Sequence, residues 1–89
     1  MESIREEIDY CIDFCSLHNF GIINVLKNID LLVSKMDFSS KKKKNHLEPA
    51  FSSLTSLVMQ HDEFADALMS IFKFSAYNKT AFEAIISEY

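Results

Sequence analysis

The amino-acid sequence predicts an all-α fold, a small bundle of four to five helices that forms one domain over residues 1–89. Apolar residues recur three or four positions apart through most of the chain, which is the spacing of one helix face. The chain has one glycine and one proline, whereas β-hairpins depend on such turn residues. We therefore expect an N-terminal helical hairpin, a C-terminal helical hairpin and a short last helix.

The first predicted helix begins at a capping box, in which Ser3 and Glu6 satisfy each other's backbone amides, and it runs to about His18. A packing face needs only an arc of about 100°, and this helix has apolar residues over roughly twice that arc. The main stripe consists of Ile4, Ile8, Cys11, Ile12 and Cys15. The second stripe lies nearly opposite and consists of Tyr10, Phe14 and Leu17.

Gly21 is the only glycine, and it suits either a left-handed position just after the first helix or a tight turn between the two helices. A second helix is predicted over residues 22–36, antiparallel to the first because the connection is short. A lysine-rich linker follows at about residues 37–48, with the sequence DFSSKKKKNHLE.

Residues 49–74 keep one helical rhythm without an internal glycine or proline. They form either one long helix or two helices hinged at His61 and Asp62. We favour the hinge, because Asp62 can cap a new helix and five short helices can cover one another. A last helix is predicted from a capping box at Thr80–Glu83 to about Glu88.

The second stripe of the first helix is the main candidate for a functional surface. A chain of this length has too few helices to cover both sides of the first helix, and aromatic side chains are frequent anchors of binding surfaces. The predicted partner-binding residues are Tyr10, Phe14, Leu17, Leu31, Phe38 and Phe74. The leading hypothesis is a non-enzymatic protein that binds another protein or its own copy, such as an accessory, chaperone, immunity or antitoxin protein, or an inhibitor of a regulator.

Nucleic-acid binding through Lys41–Lys44 is one alternative. The formal net charge of the chain is -4, and an acidic surface does not attract a polyanion. The charge therefore argues against this alternative.

Zinc binding is another alternative, because Cys11, Cys15 and His18 share one side of the first helix. Zinc needs four ligands, and His46 or His61 is conceivable as the fourth. The competing interpretation is that both cysteines are small core residues in the main stripe.

We expect no enzyme activity and no cofactor, because the chain has no glycine-rich phosphate loop and no clear acid–base pair. The acidic N-terminus lacks the features of a secretory signal, and no segment is long and apolar enough to span a bilayer. Cys11 and Cys15 are badly placed for a disulfide with each other. These features predict a cytoplasmic protein without membrane contact.

Overall fold

The computed structural model describes residues 4–34 and 51–89, and these form a small all-α bundle. The described part contains six helices and no strand. The helices are α1 (Ile4–Leu17), α2 (Ile23–Lys27), α3 (Ile29–Val33), α4 (Ser52–Gln60), α5 (Asp62–Tyr77) and α6 (Lys79–Ile86). The predicted fold class is therefore confirmed. The predicted linker at about residues 37–48, and Ser3 of the first capping box, lie outside the described residues.

Helix α5 lies at the centre of the bundle and contacts α1, α3, α4 and α6. Its buried residues are Phe64, Ala65, Leu68, Ile71, Phe72 and Ser75. The main stripe of α1 packs into the same core, which also receives apolar side chains from every other helix. Burial of these side chains is the dominant favourable contribution to folding.

The break between α4 and α5 falls at His61, so the hinged interpretation of residues 49–74 is confirmed. The His61 backbone is extended, with φ -131° and ψ 103°. Its amide still donates to the Leu57 carbonyl at 3.0 Å, and its carbonyl accepts from the Ala65 amide at 3.0 Å. His61 thus closes α4 and caps α5, a position that the sequence had assigned to Asp62.

The second predicted helix is divided at Asn28 into α2 and α3. Asn28 has φ -115° and ψ 40°, and its side-chain amide donates to the Asn24 carbonyl at 2.8 Å. A side chain that bonds to a nearby carbonyl competes with the helical backbone bonds. Because the apolar rhythm continues through the break, periodicity alone did not show it.

The end of α1 is a Schellman motif, and its left-handed residue is Asn19 rather than Gly21. Asn19 has φ 58°, and Gly21 does not have a positive φ. The Phe20 amide donates to the Cys15 carbonyl at 2.8 Å, and the Asn19 amide donates to the Ser16 carbonyl at 3.1 Å. Asparagine tolerates this conformation better than most residues, although glycine is the commoner choice.

Replacement of Gly21 by alanine is expected to raise the free energy of unfolding by about 0.4–1 kcal/mol, because it restricts the unfolded chain. A Cβ atom at Gly21 would meet nothing within 4 Å. The control, Asn19→Ala, should lower the free energy of unfolding by about 1 kcal/mol, since alanine disfavours the left-handed region. Urea denaturation measures both changes. A loss of stability in Gly21→Ala would contradict this assignment of the turn.

The C-terminal helix α6 begins at Lys79, and Asn78 takes the N-cap position that the capping box had assigned to Thr80. Phe82 and Ile86 bury α6 in the core. The C-terminal residues also bond to α1 at the surface. Both terminal nitrogens of the Arg5 guanidinium contact the Glu88 carboxylate, at 2.6 and 3.0 Å. These contacts hold the two ends of the described chain together.

Candidate functional site

Three residues of α1 form the candidate binding surface, which we call the α1 patch: Tyr10, Phe14 and Leu17. The three residues follow one another at spacings of four and three, so they lie on one face of the helix. The side chain of Leu17 is 82% exposed and that of Tyr10 is 37% exposed. The structure thus leaves the two ends of the predicted second stripe open to solvent.

Phe14 is half-buried and attaches the α1 patch to the core. Its ring stacks on that of Phe64, with 4.7 Å between ring centroids and 12° between planes. The Tyr10 ring lies 5.9 Å from the Phe14 ring. Phe14 therefore holds the patch in place, and the side chains available to a partner are Tyr10 and Leu17.

Acidic residues surround the α1 patch. Glu6 and Asp13 are exposed on α1 within one turn of Tyr10, and Glu63 is exposed in the first turn of α5. Partial desolvation raises the pKa of Tyr10, and the nearby charges of Glu63 and Cys11 raise it further. The surface around the patch is therefore negatively charged.

The other predicted partner-binding residues lie apart from the α1 patch. Leu31 is 51% exposed and lines a groove of about 680 Å³ between α2, α3 and α6. It also lines a second groove, beside Phe51, and neither groove contains an α1 residue. Phe74 is partly buried against the core, and Phe38 lies outside the described residues.

Sequence reasoning missed two features of the bundle surface. Met59 and Tyr77 are large apolar residues that are 51% and 85% exposed, and no periodic pattern marked them as unpaired. His18 and His61 both lie against Phe14, at ring-centroid distances of 4.6 and 4.9 Å. The sequence had suggested His61 as a conceivable fourth zinc ligand beside His18, but it gave no signal for the contact of both rings with Phe14.

Cys11 and Cys15 are core residues, both 0% exposed, and both are free thiols. His18, in contrast, is exposed at the surface. Among residues 4–34 and 51–89, no group of three or more histidine, cysteine or acidic side chains has the geometry of a metal site. Of the predicted zinc ligands, the two thiols are thus buried in the core, whereas His18 lies at the surface. His46 and Lys41–Lys44 lie outside the described residues.

No helix in the described part of the chain is long and apolar enough to cross a bilayer. Comparison of the whole chain with protein-family models, with curated proteins and with solved structures gave no match.

Proposed function

We propose that this chain is a non-enzymatic protein-binding domain that contacts its partner through the α1 patch. The observation that carries the proposal is Leu17, an aliphatic side chain 82% exposed in line with Tyr10. The bundle buries the opposite stripe of α1 completely at Ile8, Cys11 and Cys15. A helix that is apolar on two sides but buried on one has a free apolar face, which is typical of a helix that binds a partner.

The packing of Phe14 on Phe64 supports this proposal, because it holds the patch rigid before a partner binds. A binding surface that is already ordered loses less conformational entropy on association. Aromatic side chains next to a well-packed support are also the usual hot spots of interfaces. Tyr10 supplies the aromatic contact and Leu17 the aliphatic contact.

The charges around the patch indicate the chemistry of the partner. Glu6, Asp13 and Glu63 would attract a surface that has lysine or arginine around an apolar pocket. A second copy of this acidic chain would bring the same charges together, so we assign the patch to a different, basic protein. We place this interaction in the cytoplasm, because two unpaired cysteines in one small core fit a reducing compartment.

Leu17→Asp and Tyr10→Asp should each weaken partner binding by about 2 kcal/mol or more, as expected for truncation of a hot spot. Partner capture followed by titration calorimetry would measure the loss, and circular dichroism would check that helicity is kept. Phe14→Asp is a poorer test, since Phe14 also packs against the core and its loss would destabilise the fold.

Tyr77→Asp is a matched control, because Tyr77 is 85% exposed and lies about 20 Å along α5 from Phe64. This variant should bind the partner normally. Equal binding by Leu17→Asp and the unaltered protein would contradict the proposal. Light scattering on a sizing column tests the alternative: a dimer that Leu17→Asp dissociates would assign the patch to self-association.

A further inference from the structure

Two histidines from distant parts of the chain meet beside the α1 patch. His18 follows the last residue of α1, and His61 is the break between α4 and α5. Their ring centroids lie 5.2 Å apart, with 52° between the ring planes. His18 is exposed and His61 is half-buried, so the pair is open to solvent on one side.

We propose that His18 and His61 together bind one divalent transition-metal ion, such as Zn²⁺. A zinc ion lies about 2.0–2.1 Å from a coordinating ring nitrogen, and hence about 3.2 Å from the ring centre. When two imidazoles bind the same ion with a tetrahedral N–Zn–N angle, their ring centroids lie about 5.2 Å apart. The 5.2 Å between the two ring centroids matches this spacing, so the two rings need only turn their nitrogens towards a shared ion.

The support beneath the two rings is the second argument. Phe14 contacts both imidazoles, and Phe64 backs Phe14 from the core. Both histidine backbones are fixed by hydrogen bonds at 3.0 Å, from the His18 amide to the Cys15 carbonyl and from the His61 amide to the Leu57 carbonyl. A metal site needs this kind of support to keep its ligands in position.

The chemistry of the surroundings favours a cation with nitrogen ligands. Imidazole is a good ligand for Zn²⁺, Cu²⁺ and Ni²⁺, and Asp62 and Glu63 add negative charge directly after His61. The buried Cys11 and Cys15 are not ligands here, because burial raises the pKa of each thiol and a metal binds the thiolate. Water completes the coordination on the open side.

Titration calorimetry with ZnCl₂ in a buffer that does not chelate tests the site on the full chain. We expect one saturable Zn²⁺ site per chain and a rise in Tm on zinc addition, since a ligand that binds only the folded state stabilises it. His18→Gln and His61→Gln should each weaken binding at least about tenfold, since both rings are needed.

His46→Gln is the matched control, as it removes the remaining histidine of the chain and should leave zinc affinity unchanged. Cys11→Ala should also keep the affinity, which separates this site from the thiol-based alternative. Two results would overturn the proposal: no saturable binding at millimolar Zn²⁺, or binding that persists when both His18 and His61 are replaced. The proposal does not rest on partner binding, because the two proposed ligands, His18 and His61, are not among the residues of the α1 patch.

Discussion

Phe64→Ala is expected to lower the free energy of unfolding by about 3–5 kcal/mol, the usual cost of removing a fully buried phenylalanine. Phe64 is 0% exposed and lies on α5, the helix that contacts most of the bundle. The Phe14 ring stacks on the Phe64 ring. Loss of Phe64 therefore leaves a cavity in the core and removes the support of the α1 patch.

The size of this effect is large for a chain of 89 residues, whose total free energy of unfolding we expect to be about 4–13 kcal/mol. Urea denaturation followed by circular dichroism would measure it. Met59→Ala is the control, because Met59 is 51% exposed and the change should stay within about 0.5 kcal/mol. Similar losses in the two variants would show that Phe64 is not a core residue.

The protein is expected to lose about 2 kcal/mol of stability between pH 9 and pH 10, because its two buried thiols resist ionisation. Burial, with the neighbouring charges of Cys15 and Glu7, raises the pKa of Cys11 from 9.0 to about 12. Burial raises the pKa of Cys15 from 9.0 to about 11. Since the folded thiols hold their protons more tightly than the unfolded ones, their stabilising effect is complete below pH 9 and is lost as the pH rises towards 11–12.

Between pH 9 and pH 10 the thiols dominate the loss of stability over the tyrosines. The hydrogen bond that the Tyr89 hydroxyl donates to the Asp9 carboxylate, 2.7 Å long, is the main cause that raises the pKa of Tyr89 to about 12. Because an unfolded tyrosine ionises near pH 10, most of this contribution is lost at higher pH.

Urea denaturation at a series of pH values would measure the expected loss, with Cys11→Ala/Cys15→Ala as the control. The double variant starts from a lower stability but should show a much flatter dependence between pH 9 and pH 10. In the unaltered protein, a thiol reagent at pH 8 should react only after urea unfolds the chain. An equally steep pH dependence in the double variant would assign the loss to other groups.

The apolar periodicity of the sequence predicted the helices and most of the core. Ile4, Ile8, Cys11 and Cys15 form the main stripe of α1 and are all buried. Periodicity is a property of neighbouring residues within one helix, so it can be read without knowledge of the partner helix. The same reasoning identified Tyr10 and Leu17 as apolar residues on the other side of α1.

The sequence did not predict the correct helix ends where several neighbouring residues can each cap or break a helix. The left-handed turn falls on Asn19 although glycine is favoured there, and α6 begins one residue before Thr80. Asn28 divides a helix whose apolar pattern is continuous. Intrinsic preferences at such positions differ by about 1 kcal/mol or less, which is too little to fix a helix end from the sequence alone.

The sequence by itself determined the helical class, the buried stripe of α1 and the presence of a second apolar stripe. The tertiary structure decided how that second stripe is used. It turns Phe14 inwards onto Phe64, leaves Leu17 exposed, and brings His18 beside His61. These contacts join residues far apart in the chain, and they depend on how α1 packs against α5, which no local periodicity records.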